Sequence, residues 1–308
     1  MKSSSRIFAI VSILLCTQLV FACSDRGKNS VEVYPRKGPV SERGYQAILA
    51  TTDLGEGSNR FAFVLTSSQG FVTAGPVYVS MFASDSPSKK RTYKANPVEW
   101  PDQNRIMYVA NEIVFSRGKW NATIEFSHSQ GKQLLEIPFE VRGKPRSPAV
   151  GELAPVVSSK TLDGVDDISE LSTGTMAQLE LYRYSIAEVL KSDRPSVITF
   201  SSPAFCRNEV CGPQVQVIAE LYDQKKGSSF FVHSDVYENP EEIQGDLNVG
   251  RFSKPFLAWN LPTFQWTFIV GCDGRVLKRF QGFVAFEELS YALDNLLAKY
   301  ESKTLCLL

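Results

Sequence analysis

Two kinds of hydrophobic pattern divide the chain. From residue 45 to 141, apolar and polar positions alternate in short runs: "YQAILATT", "RFAFVLTS", "PVYVSMFA", "RIMYVANEIVF", "KWNATIEFS" and "LLEIPFEV". A two-residue period sends successive side chains to opposite faces of a strand, so each run predicts a strand with a buried face. "DLGEGSN", "SSQG", "DSPSKK" and "SRGK" fall between several of these runs and supply turn residues. No amphipathic helical pattern interrupts them. Six or seven short strands with regular turns predict an all-β sandwich over 45–141, of the immunoglobulin-like type.

"RGKPRSPAVGELAP" then breaks the pattern with three prolines and two glycines, and residues 142–150 read as a linker. Beyond it, strands and helices alternate. "SIAEVLKSD" predicts a short helix and "PSVITFSS" a buried strand. "RNEVCGPQVQVIAELYDQ" predicts a longer helix and "SSFFVHSDV" a second buried strand. "QWTFIVGCDGRVLKRFQG" reads as strand, turn and strand. "AFEELSYALDNLLAKY" closes as an amphipathic helix with Phe286, Leu289, Leu293, Leu296 and Leu297 on one face. Strand–helix–strand followed by hairpin and helix predicts an α/β module on a mixed sheet over 151–300.

Composition changes this picture little. Lysine plus arginine equals aspartate plus glutamate at 33 each, so no charge excess points to nucleic acid as a partner. A hydrophobic fraction of 43% is enough to fill two cores. His128 lies alone in the first module, which gives a copper site there little support.

The start of the chain matters more. Lys2 and Arg6 precede an apolar run from Ile7 to Phe21, shorter than the roughly 20 residues of a membrane span. The run ends in "LVFAC", which resembles the lipobox of bacterial lipoproteins. That resemblance implies a signal peptide over 1–22 and a diacylated Cys23 at the mature N-terminus. Residues 23–44, polar and containing Gly and Pro, then form a tether to the lipid bilayer. The expected location is extracytoplasmic, on the periplasmic face of a bacterial membrane, where disulfides persist. Ser24 favours sorting to the outer membrane, and Asp25 weakens that preference.

"PAFCRNEVCGP" carries the candidate chemistry. Cys206 and Cys211 are separated by four residues, a spacing open to a metal clip, a staple or a redox couple. Residues 148–300 resemble the thioredoxin fold, in its TlpA-like or peroxiredoxin-like extracytoplasmic branch. The resemblance rests on "PAVGELAP", on "RPSVITFSSPAFC" with its Phe205–Cys206 pair, and on "WTFIVGCDGRVLKRFQG". In the first module, "GKWNATIEF" and "FEV" resemble the closing strands of small YtkA- or FixH-type sandwiches.

The thioredoxin resemblance implies a thiol–disulfide oxidoreductase with Cys206 as nucleophile, Cys211 as resolving residue and a protein thiol or disulfide as partner. A helix beginning at or just after Cys206 is expected to lower its pKa, with Arg207 adding positive charge. "CGP" at 211–213 imitates thioredoxin's own motif and keeps the opposite order open. On an unbroken helix, residues five apart rise about 7.5 Å and face different sides. A 206–211 disulfide is therefore expected to need an irregular or unwound first turn.

Other relatives fit in part. Peroxiredoxins of the bacterioferritin-comigratory type share the spacing and the glutamate at Glu209, but Pro203 stands where their hydroxyl residue belongs. Sco-type copper chaperones would use Cys206, Cys211 and His233 for Cu(I), a soft-ligand set. The position of thioredoxin's cis-proline falls at Gln265, and Pro262 lies three residues early. A non-enzymatic binding module with a structural disulfide is the third reading. Nothing in the sequence pairs Cys272 with Cys306.

Overall fold

The computed structural model describes residues 36–100, 105–129, 131–206 and 210–301. The expected signal peptide, Cys23 and most of the tether lie outside these residues. No helix among the described residues is long and apolar enough to cross a membrane.

Nine strands come first: β1 (Arg36–Lys37), β2 (Gln46–Leu49), β3 (Gly57–Ser67), β4 (Gly70–Phe71), β5 (Val77–Ala83), β6 (Arg91–Glu99), β7 (Ile106–Phe115), β8 (Gly118–His128) and β9 (Gly131–Val141). They pair in the order β1-β2-β3-β7-β6-β5-β8-β9, with β4 on β3. The path folds over on itself because β6 changes partner along its length. Arg91–Ala95 pair with β5, whereas Asn96–Glu99 pair with β7. At the far end the sheet nearly closes, since Gly38 lies so near the Glu136 carbonyl that a Cβ would sit 2.1 Å from that oxygen. Only glycine fits there.

β9 and β3 show how local pattern reports surroundings. β9 alternates strictly, burying Leu135, Ile137, Phe139 and Val141 while its other face is exposed. β3 is buried on both faces from Asn59 to Leu65. Phe61, Phe63 and Leu65 enter the core enclosed by the large sheet, where Phe61 and Phe139 pack at 5.2 Å. Ala62 and Val64 face the other way, into a second core.

That second core belongs equally to the rest of the chain. Three short 3-10 turns and α1 (Ile186–Val189) lead to β10 (Ser196–Ser201), α2 (Cys211–Lys225) and β11 (Phe230–Asp235). Then come α3 (Pro240–Ile243), α4 (Lys254–Ala258), β12 (Trp266–Val270), β13 (Val276–Gln281) and α5 (Phe286–Glu301). The four strands form a mixed sheet, order β11-β10-β12-β13, in which only β10 and β11 run parallel. Ile218 of α2 and Leu289, Leu293 and Leu296 of α5 cluster with Ala62, Val64, Met107 and Val109 of β3 and β7. Each of these lies deep, so the large sheet and the helices share one apolar seam.

Polar groups lock the same seam. Arg60 of β3 meets Glu288 of α5 through two bonds, of 2.9 and 3.0 Å. Gln281 Oε1 accepts the backbone N–H groups of Thr52 and Asp53 at 2.7 and 3.0 Å. The 142–150 segment runs along the seam, with Ser147 fully buried and bonded to Asp53.

The predicted strands all form, and the pattern misses the two-residue β1 and β4 and the longer β6. Of its nine residues only Ala95 is buried. A strand that passes between layers covers little core, so it carries no alternation to read.

Candidate functional site

β10 is buried along its whole length, flanked by β11 and β12. Six consecutive small or apolar residues, Ser196 to Ser201, suit a central strand covered on both faces. After β10 the chain turns, with Phe205 N–H donating to the Ser202 carbonyl at 3.1 Å, and reaches Cys206. Cys206 and Cys211 form a disulfide with their Cα atoms 5.8 Å apart.

The helix starts later than the sequence predicts. α2 begins at Cys211, with Val210 as an N-cap that offers no side-chain hydrogen bond. The bridge therefore reaches the first residue of α2. α2 thus starts beyond Cys206 in this bridged form, for which the spacing predicted an irregular or unwound first turn. The partial positive charge of a 15-residue helix falls on Cys211 instead. Burial separates the two sulfurs as well: Cys206 is partly exposed and Cys211 has no exposure. Arg207 and Glu209 lie outside the described residues.

Gln265 sits just before β12, at the end of the sheet from which the cysteine loop emerges. It is buried and its carbonyl accepts the Gly282 N–H at 3.0 Å. Among the described residues the single cis peptide is Gly75–Pro76, so the bond before Gln265 is trans. Neither atom of the Gln265 side-chain amide has a hydrogen-bond partner among the described residues. Gln214, three residues into α2, holds the same corner: its amide exchanges hydrogen bonds with both backbone groups of Val284.

His233 lies wholly inside. Its Nδ1 is 2.5 Å from the Tyr182 hydroxyl and its Nε2 is 2.7 Å from Ser201 Oγ. Burial pulls its pKa down to about 4, so the ring is neutral at neutral pH. Both nitrogens are thus engaged by hydroxyl groups. His128, at the end of β8, contacts the Tyr45 hydroxyl at 2.9 Å. Cys272 is disulfide-bonded, and Cys306 lies outside the described residues.

Sequence reasoning passed over Asp235. Its Oδ2 accepts the N–H and hydroxyl of Thr173 at 2.8 and 2.9 Å, and its Oδ1 accepts the Tyr237 N–H at 3.0 Å. Thr173 Oγ1 lies 3.0 Å from Ser202 Oγ, at the base of the cysteine loop. Burial raises the Asp235 pKa to about 6, against the lowering effect of those hydrogen bonds. A carboxylate closing the buried run "FFVHSD" was the available signal. A buried acid needs donors, and those donors tie the 173 loop to the strand ends.

No family model and no curated protein matches the chain. Among solved structures, a proposed protein disulfide isomerase from Bacteroides thetaiotaomicron is 12% identical, spans 50% of this chain and 89% of its own, and gives a TM-score of 0.33. A copper-bound variant of FetP from uropathogenic Escherichia coli is 11% identical over 35% of this chain and 96% of its own, at 0.27. The PKD domain of the human receptor SorCS2 is 14% identical over 46% and 96%, at 0.21. These scores are too low to assign a fold or a function.

Proposed function

We propose that this chain is a thioredoxin-like thiol–disulfide oxidoreductase, exported and held on a bacterial membrane through a lipidated Cys23. The observation that carries the redox reading is the asymmetric bridge, with Cys206 partly exposed on a loop and Cys211 buried at the first position of α2. The order β11-β10-β12-β13, with α2 following β10 and α5 closing the sheet, supports the thioredoxin-like assignment.

Asymmetry gives each sulfur a role. A substrate thiolate attacks Cys206 Sγ, the one within reach, and forms a mixed disulfide. The Cys206–Cys211 bond breaks and its electron pair leaves on Cys211, where the helix N-terminus stabilises the thiolate. A second substrate thiolate then attacks the substrate sulfur and expels Cys206. Two substrate thiols become a disulfide and the protein gains two electrons. Run backwards, the same steps reduce a substrate disulfide, with the Cys206 thiolate attacking and Cys211 resolving.

The test is the reduction potential together with trapping. A value above about −270 mV, in the range of exchange couples, is expected. Cys211→Ser should accumulate mixed disulfides through Cys206, and Cys206→Ser should form none. A potential below about −300 mV with no trapped species makes the bridge a structural staple and the chain a binding module. The anchor is tested separately, since Cys23→Ser should move the protein from the membrane to the soluble fraction.

A further inference from the structure

We infer that Thr173 is a positioning residue for the redox couple: its hydroxyl holds the loop that carries Cys206, and so sets how readily Cys206 bridges to Cys211. This rests on the redox reading above and concerns what fixes the potential of that site.

Three hydrogen bonds converge on one oxygen. Thr173 Oγ1 lies 2.9 Å from the Asp235 carboxylate and 3.0 Å from Ser202 Oγ, and accepts the Ala204 N–H at a longer 3.4 Å. Above its pKa near 6 the carboxylate only accepts, so the Thr173 proton goes to Asp235. Ser202 then supplies the proton between the two hydroxyls. Thr173 Oγ1 thus donates once and accepts twice, the full complement of a hydroxyl. Asp235 is itself fixed, because it also accepts the Thr173 N–H at 2.8 Å and the Tyr237 N–H at 3.0 Å. The next residue packs on the same loop: a Cβ on Gly174 would lie 3.2 Å from the Pro203 ring.

The clasp reaches Cys206 through the turn before it. Phe205 N–H donates to the Ser202 carbonyl at 3.1 Å, so whatever holds Ser202 and Ala204 holds the turn that ends at Cys206. Pro203 and Ala204 carry no side-chain hydrogen-bonding group, and the hold comes from 31 residues away in sequence. Ser202 has no exposure, so without Thr173 its hydroxyl and one Asp235 lone pair are left buried and unmatched. A loop already held in place loses less freedom when the bridge closes. Preorganisation therefore raises the effective concentration of one cysteine at the other. Removing the Thr173 hydroxyl should favour the dithiol and raise the potential.

The experiment equilibrates the intact exported protein with reduced and oxidised glutathione at neutral pH. Two glutathione thiols give up two electrons and two protons and become one disulfide, while the Cys206–Cys211 bond breaks into two thiols. Alkylation and mass then read the bridged fraction. Thr173→Val removes the hydroxyl and should shift the equilibrium about tenfold toward the dithiol, a rise of about 30 mV. Thr173→Ser retains the hydroxyl and should stay within about twofold of the wild type. Ser202→Ala removes one of the three bonds and should shift the equilibrium about threefold, which carries the test if Thr173→Val fails to fold. Arg279→Met weakens the seam elsewhere and should leave the equilibrium unchanged. Equal constants for the wild type and the folded hydroxyl-free variant, or an equal shift in Arg279→Met, overturn this inference and leave the oxidoreductase reading intact. A wild-type bridge that glutathione never opens, with a potential in the structural range, overturns both.

Discussion

Arg279 Nη2 donates to the Asp53 carboxylate at 2.7 Å, joining β13 to the loop between β2 and β3 across 226 residues of sequence. The carboxylate side chain has no exposure and also accepts the Arg146 N–H and both the N–H and hydroxyl of Ser147. One buried acid thus gathers the large sheet, the four-stranded sheet and the segment between them. Removing Asp53 leaves Arg279 buried without its carboxylate, and removing Arg279 leaves Asp53 only the 3.3 Å contact with the half-exposed Arg142. Asp53→Asn and Arg279→Met should each lower stability by about 3 kcal/mol. Their combined cost should be well below the sum, as urea unfolding of the double-mutant cycle would show. Additive effects would mean that the pair does not hold the seam.

The same bonds determine how the chain comes apart. The 142–147 stretch looks cleavable from its prolines and charges, but Ser147 is buried and Arg146 N–H is bonded. Proteases cut where backbone can open, and a bonded, buried backbone opens only with the surrounding fold. Limited proteolysis should spare Arg146–Ser147 in the wild-type protein and cut there in Asp53→Asn. Rapid cutting of the wild type at that bond would contradict the clasp.

The two cysteines should differ in reactivity after reduction. Cys206 is partly exposed, whereas Cys211 lies at a buried helix start. Brief iodoacetamide treatment, read by peptide mass, should label Cys206 first and leave Cys211 largely unmodified. Preferential labelling of Cys211 would reverse the assigned roles.

His233 and Asp235, two residues apart on β11, should oppose each other as pH changes. His233 has a folded pKa near 4, below its ordinary 6.5. Its contribution is complete above pH 6.5 and is lost as pH falls toward 4, because only the unfolded chain takes the proton. Asp235 has a folded pKa near 6, above its ordinary 3.8. Its contribution is complete below pH 3.8 and is lost as pH rises through 6, because only the unfolded chain releases the proton. Each amounts to roughly 3 kcal/mol, so the two slopes nearly cancel between pH 4 and 6. Asp235→Asn should expose the histidine slope, with stability rising from pH 4 to 6.5. His233→Gln should expose the opposite slope. Denaturant unfolding at several pH values checks both, and a flat profile in both variants would refute the balance.

Much of this was legible in the sequence because it is local. The strict alternation of "LLEIPFEV" identified a strand with one solvent face, and β9 has one. The denser apolar run "RFAFVLTS" became β3, whose second face is buried. Leu289, Leu293 and Leu296 marked the buried stripe of α5 through their spacing alone. Pairing of Cys206 with Cys211 was an expectation too, implied by the thioredoxin resemblance, and the bridge is present. What tertiary structure alone decided involves groups distant in the chain. The start of α2 at Cys211 places the helix dipole at that sulfur in the bridged form, and no period in "FCRNEVCGP" announces it. Asp53 and Arg279 look like ordinary surface charges until the seam buries them together. Thr173, Ser202 and Asp235 belong to no common repeat, and meet only because the 173 loop packs against the strand ends. Periodicity reports which face of an element is covered. Only the packing of those elements says what covers it.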